Sequence, residues 1–179
     1  ADALLIETTQ DLLQAKAAIN GAREAIDSTD RDILLIAQVT IETTGTMLMG
    51  SEIGAALSAL EPLNIDVIGL NCATGPTEMS EHLRTLSHRT ELPISCMPNA
   101  GLPVLGPNGA TYDLSPNELA ASLLDFNREY GVTLIGGCCG TTPDHIRAIT
   151  SQFASAPEVL TINRINEPGA ASLYQHVPF

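Results

Sequence analysis

Three cysteines have the residue type and the placement to bind a metal ion together. Cys72 directly follows the run Ile-Gly-Leu-Asn at 68–71, and Cys138 with Cys139 follows the run Ile-Gly-Gly at 135–137. If both runs are parallel strands, their carboxyl ends open on the same edge of the sheet, where the three sulfurs can converge. Zn²⁺ prefers thiolate sulfur, and catalytic zinc sites combine three protein ligands with one open position. The placement therefore predicts a zinc site formed by these three cysteines.

The fourth cysteine leaves the type of site open. Cys96 ends the run 94–96, and the following Met97 and Pro98 indicate continued extended chain. We interpret Cys96 as a buried core thiol. As a fourth ligand it would instead complete a closed structural or zinc-storing site, which has no catalytic role. A third interpretation is a mixture of buried and incidental cysteines without a metal.

Short apolar runs alternating with helix-like segments supply the strands that would position these cysteines. The runs start about 30 residues apart, except for a longer last interval, which is typical of βα units in a parallel sheet. They comprise residues 3–6, 33–39, 65–70, 93–97 and 132–135. A complete eightfold barrel needs about 250 residues. Five units in 179 residues therefore fit either a five-stranded doubly wound sheet or the last part of a barrel.

A capping residue directly before a proline indicates where each of three helices begins. Ser115 with Glu118 forms a capping box, and Thr142 and Gly75 also stand directly before a proline. Residues 98–112 are so rich in Pro, Gly and Asn that we expect neither helix nor strand there. Because this long loop follows a strand, it lies on the side where active sites of parallel α/β folds form.

The charge and composition exclude several classes of partner. With 8 Lys and Arg against 21 Asp and Glu, the net charge is −13, which disfavours nucleic acid and anionic membranes. No apolar stretch reaches the roughly 20 residues of a transmembrane helix, and no basic secretion signal is visible. Adjacent cysteines are poor disulfide partners and favour a reducing, cytoplasmic compartment. We therefore expect a soluble protein that binds neither nucleic acid nor membrane.

Three segments of the sequence carry a resemblance to a known family. They are Gly69–Cys72, Met97–Pro103 and Gly136–Pro143, which read Gly-Leu-Asn-Cys, Met-Pro-Asn-Ala-Gly-Leu-Pro and Gly-Gly-Cys-Cys-Gly-Thr-Thr-Pro. Together they resemble the homocysteine-binding domain of the homocysteine S-methyltransferases. The Pro-Asn-Ala-Gly-Leu-Pro loop favours the cobalamin-dependent branch over the betaine-dependent one. The resemblance covers about residues 1–155.

The resemblance implies a fold and a domain organisation. The family domain is a (β/α)8 TIM barrel, so this α/β chain would carry its last five βα units. Residues 1–157 would be the C-terminal part of the homocysteine-binding barrel, and residues 158–179 a linker toward a folate-binding domain. A barrel without three of its strands exposes unpaired sheet edges, so we expect the isolated chain to be poorly active.

The resemblance also implies a reaction. Cys72, Cys138 and Cys139 would hold Zn²⁺, and the homocysteine sulfur would fill the open position as a thiolate that accepts a methyl group, giving methionine. Cobalamin and 5-methyltetrahydrofolate would be bound by other domains of the same longer chain. One alternative is a stand-alone homocysteine S-methyltransferase that uses S-methylmethionine or betaine. The non-enzymatic alternative is the closed four-cysteine domain.

Two further residues are candidates for binding the substrate. Glu7 ends the first strand, and the matching family glutamate binds the homocysteine amino group; the same carboxylate could instead simply favour a helix N-terminus. Asn71 precedes Cys72 and would orient the substrate or the zinc ligands. Glu42 ends the second strand and is a weaker candidate. The histidines lack ligand spacing, and we interpret all four as solvated: they are His82, His88, His145 and His176.

Overall fold

The structure, a computed structural model, describes residues 1–107, 109–154, 161–165 and 167–179. Strands and helices alternate along most of the chain. The strands are β1 (Ala3–Thr9), β2 (Leu34–Val39), β3 (Val67–Asn71), β4 (Ile94–Met97), β5 (Val104–Gly106), β6 (Gly109–Thr111), β7 (Val132–Ile135), β8 (Gly169–Ala171) and β9 (His176–Pro178). The helices are α1 (Leu12–Asp27), α2 (Ile53–Leu60), α3 (Pro76–Arg89), α4 (Pro116–Tyr130) and α5 (Pro143–Phe153).

Five strands form one parallel sheet in the order β1-β2-β3-β4-β7. This order follows the chain without reversal, whereas a doubly wound sheet reverses at its switch point. The predicted α/β class is confirmed, and the unreversed strand order differs from that of a doubly wound sheet. Within the described residues β1 pairs only with β2 and β7 only with β4, so no closed barrel is present.

The core between the sheet and the helices is aliphatic, as the composition predicts. Its largest side chains have almost no solvent exposure, and include Ile19, Leu35, Leu60, Ile68, Leu70, Leu83, Leu86, Leu119 and Leu123. Both faces of β2 and β3 are buried, which is typical of parallel strands covered on both sides. None of the described helices is both long and apolar enough to cross a membrane.

The helix-start signals are confirmed. Ser115 caps α4, and Glu118 bonds back to the Ser115 backbone. At the other end of α4, Gly131 adopts the left-handed conformation, with φ of 67°, and connects the helix directly to β7. Each cap satisfies backbone groups that the helix end leaves free, so these short sequence signals set the helix boundaries.

The segment 98–112 contains an unexpected element. Its described residues include the antiparallel pair β5–β6, although we expected no strand there. The expectation was wrong because two three-residue strands need only a few backbone hydrogen bonds, and Gly109, at the start of β6, has a φ of 104° that favours glycine. Asn108, within this segment, lies outside the described residues.

The last part of the chain folds back onto the helices. β8 and β9 form a hairpin, Tyr174 O accepts a hydrogen bond from Glu52 N at 2.7 Å, and Leu173 O accepts one from Ser51 Oγ at 3.0 Å. The predicted domain boundary between residues 157 and 158 lies outside the described residues. The assignment of residues 158–179 as a linker stays a prediction, and their described part lies against α2 and α3.

Candidate metal centre

Cys72 lies at the carboxyl end of β3 in an unusual backbone conformation. Its N–H donates to Met97 O at 3.2 Å, and its own carbonyl accepts from Thr74 N at 2.8 Å. Cys72 and Ala73 have φ of 62° and 61°, a left-handed conformation that costs energy for residues other than glycine. Such strain persists where surrounding structure enforces it, and it is concentrated at functional sites.

Cys138 and Cys139 follow β7 behind two glycines, of which Gly137 has no room for a side chain and Gly136 has little. A Cβ on Gly137 would lie 2.7 Å from Thr141 Cγ2, and one on Gly136 would lie 3.3 Å from Met97 Cγ. The chain therefore turns tightly at the end of β7 and delivers both cysteines to the edge where Cys72 lies. This is the edge that the parallel-strand argument predicted.

The three sulfurs are close enough to share one metal ion. Cys72 Sγ lies 3.8 Å from Cys139 Sγ, Cys138 Sγ lies 4.0 Å from Cys139 Sγ, and all three sulfurs are within 4.8 Å of one another. A tetrahedral zinc site with Zn–S bonds of about 2.3 Å has sulfurs roughly 3.8 Å apart. The donor set and its spacing therefore fit a metal ion such as zinc.

The segment after β4 joins the two cysteine loops through its backbone. Cys138 N donates to Pro98 O at 2.8 Å, and Ala100 N donates to Cys139 O at 2.9 Å. Asn99, only 2% exposed, donates from its backbone to Thr74 O and accepts from Cys139 N at its Oδ1, at 3.1 Å. The position of one cysteine loop thus depends on the other through this segment.

Asn71 connects the cluster to the end of β1. Its Oδ1 accepts from Thr8 N at 2.7 Å, and its Nδ2 donates to Thr8 Oγ1 at 2.8 Å and to Cys138 Sγ at 3.9 Å. Asn71 is 1% exposed, so these contacts set the orientation of its amide. This arrangement suits the orienting part of the predicted role, and direct contact of Asn71 with a substrate stays a prediction.

Burial and crowding oppose the ionisation of Cys138 in the absence of a cation. Burial and the neighbouring Cys72 and Cys139 raise the pKa of Cys138 to about 12. A bound divalent cation reverses such repulsion, because coordinated thiols are deprotonated. A metal bound at this cluster would therefore favour the loss of the Cys138 proton.

The other carboxylate and thiol candidates do not belong to the metal-capable cluster of the described residues. Glu7 is exposed on β1, next to Thr8, and its role stays a prediction. Glu42 is half-buried and accepts a hydrogen bond from Gln10 Nε2 at 3.2 Å. Cys96 is fully buried, contacts Met79 Sδ at 3.9 Å, and is not part of the metal-capable cluster found among the described residues. Burial raises its pKa, as expected for a core thiol.

Two histidines differ from the sequence interpretation. His145 is 6% exposed: its Nδ1 accepts from Thr142 N at 3.1 Å, and its Nε2 donates to Leu114 O at 3.0 Å. The His176 side chain is 7% exposed and bonds Ser58 Oγ at 2.7 Å. The expectation of solvated side chains was wrong for both, because partners distant in sequence cover them.

Sequence reasoning missed Asn99 and His145 as residues that hold the loops of the site. Asn99 belongs to the Met-Pro-Asn-Ala-Gly-Leu-Pro segment, but its type and position alone do not predict this role. His145 is the third residue of α5, the position where a capping partner is found, and this signal could have identified it.

Comparison with known proteins shows similarity to one protein family. Residues 1–153 match the family model described as homocysteine S-methyltransferase. The chain is 58% identical over 184 residues to methionine synthase of Mycobacterium leprae (strain TN), and 58% identical over 182 residues to methionine synthase of Mycobacterium tuberculosis (strain ATCC 25618 / H37Rv). Each match covers 100% of this chain and 15% of the relative, so the chain spans about a seventh of their length.

Solved structures share the fold at low sequence identity. The apo form of the homocysteine methyltransferase MmuM from Escherichia coli has a TM-score of 0.64 and 22% identity, covering 84% of this chain and 49% of that one. The metallated form has a TM-score of 0.66 and 23% identity, covering 84% and 45%. These matches show a common architecture of parallel strands and helices.

Proposed function

The chain belongs to the homocysteine S-methyltransferase family, and from this we propose that it activates the homocysteine thiol for methyl transfer, giving methionine. One observation carries the proposal: three cysteine sulfurs from two separate strand ends lie within 4.8 Å of one another. A cluster of this kind, in this family, is suited to binding a metal and presenting it to a fourth, substrate sulfur.

The proposed metal is Zn²⁺, held by Cys72, Cys138 and Cys139. Bound there, it would act as a Lewis acid that lowers the thiol pKa of homocysteine, so that a nucleophilic thiolate exists at neutral pH. Three thiolate ligands are preferred by zinc, and the sulfur spacing suits tetrahedral geometry. The exposure of Cys139 leaves an approach for the substrate from solvent.

The chain's own residues orient the ligands and bind the amino acid. Asn71 restrains Cys138 through its Nδ2, and Asn99 restrains Cys139 through the backbone N–H. We assign the substrate ammonium group to Glu7, whose exposed carboxylate lies on β1 beside Thr8, the residue that Asn71 holds. Supporting groups of this kind fix the geometry of metal ligands and contribute to affinity.

The five βα units are proposed to be the last five of a (β/α)8 barrel. The unreversed strand order supports this, as does coverage of 45% to 49% of the barrel-like neighbours. Residues 1–157 would form this barrel part, and 158–179 the connection to a folate-binding domain. The much greater length of the relatives supports further domains that bind cobalamin and 5-methyltetrahydrofolate. A reducing, cytoplasmic location agrees with four free cysteines.

A different methyl donor is the main competing function. A stand-alone homocysteine methyltransferase using S-methylmethionine or betaine would need the same cysteine cluster. Identity of 58% to two methionine synthases favours the cobalamin-dependent donor. The four-cysteine structural site is disfavoured, because Cys96 is fully buried against Met79 and absent from the cluster.

Metal stoichiometry and ligand counting test the proposal. We expect about one zinc per chain in the wild type and in Cys96→Ser, and a large loss in Cys138→Ser, because only the latter removes a ligand. Zinc-edge X-ray absorption should count three protein sulfurs, and a fourth sulfur after addition of homocysteine. A metal-loaded protein with no or one sulfur ligand would contradict the proposal, as would unchanged zinc content in Cys138→Ser.

A further inference from the structure

Met97 is the last residue of β4, the strand that lies between the two strands carrying the cysteines. Cys72 directly follows β3, Cys138 follows β7 after two glycines, and β4 pairs with both strands. Cys72 N donates to Met97 O at 3.2 Å. On the other side, a Cβ on Gly136 would lie 3.3 Å from Met97 Cγ and 3.5 Å from Met97 Sδ. Met97 therefore lies against both of the loops that carry the cluster sulfurs.

The Met97 side chain lies on the sheet face opposite to the helix-packed core. Side chains alternate between the two faces of a strand, and in β4 both Ile94 and Cys96 belong to that core. Met97 is therefore on the other face, where it is half-buried. Asn71, its pairing partner on β3, is on this face as well, and its Nδ2 donates to Cys138 Sγ at 3.9 Å. Met97 and the side chain that reaches the cluster are thus neighbours.

Met97 differs in chemistry from the other residues on this face near the cluster. Asn71 is an amide, and Gly136, after β7, has no side chain. Glu7, on β1, faces the same side, because Ile6 before it packs against the core on the opposite side. Of the four residues Glu7, Asn71, Met97 and Gly136, only Met97 offers a large apolar side chain.

We propose that Met97 is a specificity-determining residue, whose thioether side chain packs against the two methylene groups of homocysteine. The inference rests on the proposed function, in which the substrate sulfur binds at the cysteines and the substrate ammonium group at Glu7. The carbon chain between these two ends is apolar, so contact with Met97 removes apolar surface from water. Cysteine has one methylene group fewer and loses part of this contact. Because one methylene group in an apolar site changes affinity by about 10-fold or more, Met97 favours homocysteine over cysteine.

The test compares Met97→Gln, Met97→Leu and Met49→Gln in the Co²⁺-loaded chain, titrated with L-homocysteine. Each bound substrate thiol adds a sulfur ligand, so growth of the sulfur-to-cobalt charge-transfer band gives the dissociation constant. Glutamine has a similar length but is polar, and we expect it to raise the dissociation constant about 10-fold. Leucine keeps an apolar surface of similar volume, so its effect should stay below about 3-fold. Met49 is 62% exposed, and the same change to glutamine there should leave the constant unaltered.

Metal affinity and thiol selectivity separate a substrate contact from a merely structural role. Cobalt affinity, measured against a chelator, should be the same in the wild type and the three variants, because the proposed ligands are the three cysteines. The preference for L-homocysteine over L-cysteine should fall in Met97→Gln and persist in Met97→Leu. A general loosening of the site would instead weaken the binding of both thiols and of the metal.

Unchanged homocysteine binding in a folded Met97→Gln, or an equal loss in Met97→Leu, would overturn this inference alone. If Met97→Gln fails to fold, the wild type decides. Equal affinity of the wild type for L-homocysteine and L-cysteine would show that no apolar contact distinguishes the additional methylene group, and would overturn the inference too. A wild-type chain that binds Co²⁺ but shows no new band after addition of homocysteine would overturn the proposed function itself.

Discussion

Asn71 and Thr8 bind each other twice across the ends of β3 and β1. Thr8 N donates to Asn71 Oδ1 at 2.7 Å, and Asn71 Nδ2 donates to Thr8 Oγ1 at 2.8 Å. Thr8 has φ of 56°, a left-handed conformation that these bonds hold in place. The same Nδ2 donates to Cys138 Sγ. The position of this sulfur in the candidate metal centre therefore depends on the end of β1.

Replacing Asn71 with alanine should weaken both the fold and metal binding. The Thr8 N–H loses its acceptor and Cys138 loses a donor, so we expect a loss of about 1–3 kcal/mol in the free energy of unfolding. Zinc affinity should fall about 10-fold or more. Urea unfolding and chelator competition measure the two effects. Asn117→Ala, at an exposed position of α4, is the matched control and should change neither; equal behaviour of both variants would refute the role of Asn71.

His145→Ala should loosen the segment that precedes α4. The imidazole accepts from Thr142 N and donates to Leu114 O, so its removal leaves this part-buried N–H and this carbonyl without the imidazole partner. We expect a loss of about 2 kcal/mol in the free energy of unfolding. Hydrogen exchange should rise in residues 109–115, which precede α4. The control is His88→Ala, because the His88 side chain makes none of the described hydrogen bonds, and this variant should leave residues 109–115 protected. Equal exchange in both variants would argue against this role of His145.

We expect the folded protein to lose the stabilising contribution of Asp66 in acid. Partial burial raises its pKa, but bonds from Leu35 N at 2.7 Å and from Arg23 at 2.9 Å outweigh this and lower the pKa overall. The Asp66 carboxylate therefore makes its full contribution to the free energy of unfolding above the pKa of an unfolded aspartate, about 3.9. This contribution is lost as pH falls through the lower pKa of Asp66 in the folded protein. Asp66→Asn should cost about 1 kcal/mol at pH 7.

The control for Asp66 is the pH dependence itself. The free energies of unfolding of the wild type and Asp66→Asn should converge as pH falls below about 4. The wild-type carboxyl is then protonated and uncharged, like the asparagine side chain. The carboxylate is 39% exposed, so solvent screening keeps the effect small. A stability difference that stays constant from pH 7 to pH 3 would show that charge is not the cause.

The docking of the β8–β9 hairpin should weaken at mildly acidic pH. Burial and the nearby Arg89 lower the pKa of His176, while Glu167 opposes this. The docked hairpin favours the neutral imidazole of His176. Its contribution to the free energy of docking is therefore fully present above the ordinary histidine pKa of about 6.5 and declines as pH falls below that value. Hydrogen exchange of residues 169–178, corrected for intrinsic rates, should rise between pH 7.5 and 5.5.

His176→Gln supplies the matched control for the hairpin. Glutamine retains a hydrogen-bonding group that can reach Ser58 on α2, but it does not titrate in this range. Its hairpin should therefore show the same corrected exchange at both pH values. A wild-type hairpin that is equally protected at pH 7.5 and 5.5 would refute the role of His176.

The βα repeat and the position of the cysteines were predictable from local patterns. Apolar runs identify β1 to β4 and β7, and the capping signals at Ser115, Thr142 and Gly75 mark where helices begin, because both depend on residues near in sequence. That Cys72 meets Cys138 and Cys139 follows from one general property of parallel strands: their carboxyl ends share an edge. The buried state of Cys96 follows from its place within an apolar run.

The groups that hold those cysteines could not be derived in this way. Asn99 reaches Cys139 across 40 residues, and His145 reaches Leu114 across 31. Such bonds depend on backbone conformations that no local pattern encodes, including the left-handed Cys72 and the close approach of Tyr112 to Gly140. Residue types and periodicity were sufficient for the parallel sheet, its helices and the convergence of the three cysteines. The support around the ligands exists only once the chain has folded, since distant polar groups must be brought together and desolvated before they bind each other.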